Sequence, residues 1–377
     1  MKVLYISHSC VMKEYRDKLS MLSDHNDIEL HLLIPSHGTE ASRSFNHNES
    51  LGKEKNTRLI IAETYLSNHM FLRFYKKLSH YIKEIAPDII HLDEEPWSTT
   101  AFQTIRIVKK LKMNCKIIFV TWENIYYEWR LPDLRYFLHR QFQSFTLRHA
   151  DAAIARNREA VDVIRKRGYK NPVTYIPDCV DTDTFIPKTR NNYNGMFTVG
   201  YIGRLTEQKG LLTLLQAIRL IGDNVQCIII GDGHLRDWIS SYSRKYGMEK
   251  RIKLLGAVPH TDLVHYYNNI DLLVLPSLTT RFWKEQFGRV LVEAMSCETP
   301  VLGSSSGAIP YVINDDRLIF KEGDHIDLIR KIKYLMNDAK AYVNHAKTGR
   351  KRVLHEYTIT KFTESTIRLF DEVFNLR

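Results

Sequence analysis

The sequence predicts an α/β protein of two parallel-sheet domains facing one another across a cleft. Three observations predict it. Short apolar runs alternate with amphipathic stretches of about 10–20 residues, the rhythm of βαβ units around a parallel sheet. At 377 residues the chain exceeds what one hydrophobic core ordinarily supports. A polar, turn-rich stretch at 187–195 interrupts the rhythm near the middle, and a new strand pattern starts directly after it.

In chain order, the strand-like runs of the first half are Val3–Ser7, Glu29–Ile34, Arg58–Ala62, Asp88–Leu92, Lys116–Val120, Ala152–Ala155 and Val173–Ile176. Phe197–Ile202 opens the second half, followed by Cys227–Ile230, Leu272–Leu275 and Pro300–Gly303. The first domain is therefore placed at 1–186 and the second at 187–358, with 359–377 a closing helix that returns to the first domain. Ligands of such folds sit beyond the carboxyl ends of the strands, so the chemistry is expected on the loops that follow them.

Hydrophobic residues at 44% and charged residues at 26% are ordinary for a globular protein. No apolar run is long enough to span a bilayer. The opening Met1–His8 has too short an apolar core for a signal peptide and reads as a buried strand, so a cytoplasmic protein is expected. Cys10, Cys115, Cys179, Cys227 and Cys297 are scattered without close pairs, which argues against a disulfide framework or a structural zinc. The net charge of +11 is spread over both halves, with no basic tail. That suits anionic substrates and argues against a dedicated nucleic-acid binder.

Two motifs carry chemistry. Gly203-Arg204-Leu205-Thr206-Glu207-Gln208-Lys209-Gly210 lies between a strand and a helix whose core face is Leu211, Leu214, Leu215 and Ile218. Gly203 permits a sharp turn, and Arg204 and Lys209 bring two cations to one loop. A diphosphate leaving group gathers negative charge as its bond breaks, and fixed cations stabilise that transition state more than the ground state. The bland alternative is a solvated basic loop. The second motif, Glu285-Gln286-Phe287-Gly288-Arg289-Val290-Leu291-Val292-Glu293, enters a helix at Gly288 with two carboxylates eight residues apart. A helix start offers unpaired N–H groups to a phosphate. Glu285 and Glu293 are then placed to accept hydrogen bonds from the hydroxyls of a sugar and of a ribose. Read alone, the motif favours the bland reading of a helix-capping glutamate and a surface glutamate.

Taken in order with Gly231-Asp232-Gly233, Leu255-Gly256 with Val258, Leu275-Pro276-Ser277, Pro300-Val301 and Ser306-Gly307, these stretches resemble family 4 glycosyltransferases. The first half matches more loosely, through Asp88–His91, Ala150–Ala152 and Ile176–Asp181. The resemblance implies the GT-B architecture of two Rossmann-like domains and a retaining transfer from a nucleoside-diphosphate sugar to a hydroxyl, in glycan or glycolipid assembly. It implies that Arg204 and Lys209 hold the donor diphosphate and that Glu285 meets the sugar. It places Glu293 on the ribose, Val258 beside the base, and the backbone at Gly203, Phe287 and Gly288 against phosphate or sugar. The rival functions are a nucleotide-sugar epimerase of the same fold, a phosphorylase and a non-catalytic sugar-nucleotide binder.

The chain departs from the family at several points. Asp178-Cys179 replaces Asn-Gly between the domains, Cys297 stands where glycine is frequent, and Ser7-His8-Ser9-Cys10 replaces a glycine-rich loop. Thr121-Trp122-Glu123-Asn124 stands where relatives carry a histidine. On the acceptor side, His91 is the candidate proton carrier, and Asp93, Glu94, His8 and Glu123 are candidates to orient a hydroxyl. Asp181-Thr182-Asp183 imitates a metal-binding DxD, but Arg204 and Lys209 already supply the charge; no metal or other cofactor is expected. Basic and aromatic residues share helical spacing at 71–82 and 129–148, so a peripheral membrane contact is entertained beside the reading of core and solvated faces.

Overall fold

The structure, a computed structural model, describes the chain except residues 41–42, 47–56, 67–71, 127–133, 190–194 and 376–377. It divides into two compact units, Met1–Pro177 with Phe362–Arg377, and Asp178–Lys361.

The first unit holds a seven-stranded sheet. Its strands are β1 (Lys2–Ser7), β2 (Glu29–Pro35), β3 (Thr57–Ala62), β4 (Ile89–Asp93), β5 (Lys116–Thr121), β6 (Ala152–Ala155) and β7 (Val173–Tyr175). The order across the sheet is β7-β6-β5-β4-β1-β2-β3, and every pairing is parallel. Helices cover both faces of a parallel sheet, so its strands read as continuous apolar runs; every residue of β4 and β6 is buried. The edge strand β3 instead shows partly exposed alternate positions. Ser98 and Asn157 start two of the covering helices, Thr99–Leu111 and Arg158–Lys166, by accepting N–H bonds from Ala101 and Ala160. Two antiparallel ribbons, His37–Glu40 with Arg43–Asn46 and Thr64–Tyr65 with Phe74–Tyr75, lie outside the βα rhythm.

The helix Ile359–Phe374 gives most of its length to this first unit. Phe370 sets its ring edge-on to His91, with centroids 5.7 Å apart, and Phe362 lies 4.9 Å from the Arg156 guanidinium.

The second unit holds a six-stranded parallel sheet: β8 (Phe197–Ile202), β9 (Val225–Ile230), β10 (Ile252–Gly256), β11 (Leu272–Leu275), β12 (Val301–Ser304) and β13 (Ile319–Phe320). Its order, β10-β9-β8-β11-β12-β13, repeats that of the first unit from its edge strand inward. In both sheets the order reverses once, beside the first strand of the unit, and a reversal opens a crevice at the carboxyl edge. It falls between β1 and β4 in one unit and between β8 and β11 in the other.

Residues 178–186 belong to the second unit, although the polar stretch after them looks like the natural divide. The reason is hydrogen bonding: Val180 N–H donates to the Tyr357 carbonyl (2.8 Å), Ser296 Oγ to the Phe185 carbonyl (2.5 Å) and Asn268 Nδ2 to the Ile186 carbonyl (3.0 Å). Cys179 is buried and is not among the residues with positive φ, so the turn accommodates a side chain where relatives use glycine. Closing the helix Arg289–Ser296, the left-handed residue is Glu298 (φ 54), whereas Cys297 has φ −84. The position that favours glycine is thus 298, one residue beyond the expected one.

Candidate functional site

The loops after β8 and β11 meet at the reversal of the second sheet. Gly203 N–H donates to the Ile230 carbonyl (3.0 Å), tying the first loop to the end of β9. Lys209 ends a short 3-10 turn, Glu207–Lys209, closed by Gly210 at φ 67. A Cβ on Gly210 would lie 1.8 Å from the Pro276 carbonyl oxygen, so only glycine lets the two loops touch backbone to backbone. On the other side, a Cβ on Gly307 would come within 2.0 Å of the Glu285 carbonyl oxygen, which Ala308 N–H also reaches at 2.9 Å. These contacts fix the backbones that carry Lys209 and Glu285.

Lys209 Nζ donates to Glu285 Oε2 at 2.6 Å, and Ser277 Oγ donates to the same oxygen at 2.7 Å. The ammonium also lies 4.8 Å from the Trp283 ring centroid. Arg204 shares the loop, but its side chain is exposed and has no partner among the described residues; Tyr201 OH donates to its carbonyl (2.6 Å). Next along the chain, Phe287 is buried with its ring edge-on to Tyr357, and Gly288 (φ 82) opens the helix Arg289–Ser296. No side chain caps this start and no acidic residue occupies its first turn. Its amides therefore form a positive helix end suited to an anion.

Glu293 lies inside that helix, 2% exposed. Its Oε1 accepts from His260 Nε2 (2.8 Å) and its Oε2 from Tyr267 OH (2.7 Å), and the Arg289 guanidinium pairs with it as an ion, Nε 3.0 Å from Oε1. Burial pushes this carboxyl up, but the His260 bond, the Arg289 charge and the Tyr267 hydroxyl together hold it below the usual glutamate value. Hydrogen bonds from His260 and Tyr267 thus take two of its roughly four acceptor positions, with the Arg289 charge beside them. Val258 is half-buried on the loop after β10, two residues before His260. Sequence reading missed His260, Tyr267 and Trp283 and quoted Ser277 only within Leu275-Pro276-Ser277: His260 and Tyr267 reach Glu293 from another loop and helix, and Trp283 reaches Lys209 from the approach to Glu285.

In the first unit, His8 and Glu94 meet at the reversal between β1 and β4, with Nδ1 2.9 Å from Oε1. Asp93 Oδ2 accepts from Ser7 Oγ (2.9 Å) and Ser9 Oγ (3.2 Å). Burial works to raise the Asp93 carboxyl, yet the charges of Lys18 and Arg156 hold it well below the usual range. His91 departs from expectation. Its side chain lies in the core of the unit, where no substrate reaches it: within β4 it is fully buried, stacked on Tyr5 with centroids 4.2 Å apart and covered by Phe370. Burial pushes it down to about 3, so it is a neutral core imidazole. Glu123 pairs with Arg167 (2.8 Å). Its neighbour Glu95, which accepts from Trp122 N–H (2.7 Å) and Thr121 Oγ1 (2.9 Å), is pushed up to about 8 by burial and by the Glu123 charge.

Comparison with known proteins bears on this geometry. Residues 182–352 match the family described as glycosyl transferases group 1, and residues 23–184 match glycosyltransferase family 4. The chain is thus built of a glycosyltransferase family 4 domain followed by a glycosyl transferases group 1 domain. Among solved structures, the glycosyltransferase resembles a sucrose-phosphate synthase from Thermosynechococcus elongatus, with a TM-score of 0.77 at 17% identity over 100% of both chains. It also resembles Anabaena HepE in complex with UDP, with a TM-score of 0.75 at 16% identity over 99% of this chain and 100% of that one. These likenesses establish the GT-B fold. By sequence it is 28% identical over 197 residues to a capsular polysaccharide biosynthesis glycosyltransferase, CapM, of Staphylococcus aureus, covering 51% of this chain and 50% of that one. It is 28% identical over 194 residues to a phosphatidylinositol N-acetylglucosaminyltransferase subunit of Arabidopsis thaliana, covering 50% and 42%. The chain thus spans about half the length of the curated relatives it matches.

The remaining signals of the glycosyltransferase resolve locally. Asp181 caps its own turn, accepting from Asp183 N–H (3.0 Å) and Thr184 Oγ1 (2.6 Å). Among the described residues no group of three His, Cys, Asp or Glu is arranged to hold a metal, and no helix is long and apolar enough to cross a membrane. None of the five cysteines is joined in a disulfide. In the helix Leu134–His149, Phe142 and Phe145 pack on Phe102, whereas Phe137 is 59% exposed. Phe71, Trp129 and Arg130 of the basic-aromatic stretches lie outside the described residues.

Proposed function

We propose that the enzyme moves a sugar from a nucleoside-diphosphate sugar to a hydroxyl acceptor, with retention at the anomeric carbon, in glycan or glycolipid assembly. The observation that carries this reading is the cluster at the β8/β11 reversal: Lys209 on Glu285, Ser277 beside them, Arg204 on the same turn, and an uncapped helix start at Gly288. A cation beside a helix end suits a diphosphate, and a carboxylate next to it suits a sugar hydroxyl. As the bond from the anomeric carbon to the diphosphate oxygen breaks, charge grows on the diphosphate, where Arg204 and Lys209 stabilise it. The leaving diphosphate takes the acceptor's proton as the new bond forms on the same face; retention follows from the family. Glu293 meets the ribose through the acceptor positions that His260 and Tyr267 leave open, and Val258 flanks the base. His8, Asp93, Glu94 and Glu123 orient the acceptor.

Structures titled with UDP or UDP-glucose among the neighbours support a uridine donor. The name of CapM supports a polysaccharide acceptor. With two cations supplying the charge, transfer needs no metal, and rates should survive EDTA. A peripheral contact with anionic membranes would use the exposed Phe137 and the basic residues around it; flotation with anionic liposomes tests it.

The deciding experiment measures nucleoside diphosphate release from a panel of nucleotide sugars for the wild type, Arg204→Ala and Lys209→Ala. Each variant should lose on the order of 10²–10³ in rate. Near-normal turnover in both would overturn the reading.

A further inference from the structure

The loop between Ser277 and Glu285 places an aromatic ring against Lys209, the cation paired with Glu285. Thr279 pins the loop at its root, with its Oγ1 2.9 Å from Glu322 Oε1 and 3.1 Å from Ser306 Oγ. Thr280 folds the tip back on itself: its N–H donates to the Trp283 carbonyl (2.7 Å), and its Oγ1 accepts from Trp283 N–H (3.0 Å). Arg281 and Phe282 are left exposed at the tip, and Trp283 is turned inward, half-buried, to Lys209. The loop is thus closed by its own hydrogen bonds in the conformation that presents the indole.

The electrostatics explain why an indole suits this place. The Lys209 ammonium has to be held in position while remaining available to an incoming anion. Glu285 holds it strongly but competes with that anion for the same charge. An indole face attracts a cation through its quadrupole and offers no proton acceptor, so it fixes the ammonium without neutralising it.

We propose that Trp283 is a positioning residue of the donor site, one wall of a two-sided clamp on Lys209. It keeps the ammonium in place as the cation shifts from Glu285 to the diphosphate. This rests on the donor-site reading above.

The test is a double-mutant cycle on the full chain with Trp283→Leu, Trp283→Phe and Lys209→Met. It is read as the dissociation constant of whichever of UDP, GDP, ADP and dTDP binds tightest, together with kcat and KM for the matching sugar donor. A cation–π contact of this exposure is worth roughly 3- to 30-fold. Trp283→Leu should weaken nucleotide binding by that factor and lower kcat, with Trp283→Phe recovering most of the loss. In the Lys209→Met background the Leu change should have no further effect on binding. Losses that add independently of Lys209, or a Phe variant as impaired as Leu, would overturn the proposal while leaving the donor site standing. Failure of Lys209→Met to weaken nucleotide binding would instead overturn the donor-site reading, and the role of Trp283 with it.

Discussion

Replacing Glu285 with glutamine separates two demands on the Lys209 ammonium. The side chains of this pair are 13% and 8% exposed, and the ammonium and carboxylate stand 2.6 Å apart. Exposed pairs contribute about 0–1 kcal/mol, and breaking a fully buried one costs about 3–5 kcal/mol. For a pair solvated to this degree, about 1–2 kcal/mol is surrendered when Lys209 turns toward a diphosphate. Glu285→Gln removes that competition, so a nucleoside diphosphate without its sugar should bind about 5- to 30-fold more tightly. The same change removes the charged acceptor for the sugar hydroxyl, and turnover should fall by on the order of 10². Calorimetric titration with UDP and initial rates at saturating donor read the two effects separately. Because they have opposite signs, general damage to the fold does not imitate them. If UDP binding weakens together with turnover, Lys209 is not shared between carboxylate and diphosphate.

Two further predictions concern stability. Glu95 is a carboxyl whose value rises on folding, so its contribution is fully present below the ordinary 4.5 and is lost as pH rises through about 8. Glu95→Gln does not ionise, so its Tm relative to wild type should climb by about 5–10 °C between pH 5 and pH 9; a constant difference would contradict the raised value. Glu298 holds a left-handed conformation at φ 54. Glu298→Gly should raise stability by about 0.5–1 kcal/mol in urea denaturation, and an unchanged or lower midpoint would show that the side chain's own contacts outweigh the strain.

The strands that pack between two layers of helices were readable because burial on both faces leaves a continuous apolar run. Ala152–Ala155, Phe197–Ile202 and Leu272–Leu275 appear with their boundaries unchanged, and most others shift by one or two residues. The strand Ile252–Gly256 escaped because it is an edge, with exposed residues breaking its pattern. The short ribbons escaped because they belong to no βα repeat. At the site, the loop carrying Arg204 and Lys209 and the helix entry carrying Glu285 and Glu293 were legible from glycines and charges close in sequence. What holds them was not. Ser277 lies 8 residues from Glu285, Tyr267 26 from Glu293 and His260 33 from Glu293. No local period encodes such pairings. His91 misled for a related reason: a histidine near the end of an apolar run reads as a proton carrier until Tyr5 and Phe370 are seen to enclose it.

The return of Phe362 and Phe370 to the first unit has a consequence for how the polypeptide matures. On the ribosome, Met1–Pro177 emerges well before the aromatic rings that cover its Arg156 and His91, with all of Asp178–Lys361 made in between. Synthesis runs at about 5–20 residues per second, so that face waits on the order of ten seconds or more for its cover. A shortened gene product ending before Phe362 leaves a charged guanidinium and a neutral imidazole uncovered in the half that contains neither Lys209 nor Glu285, and it is that half which chaperones and proteases should engage first.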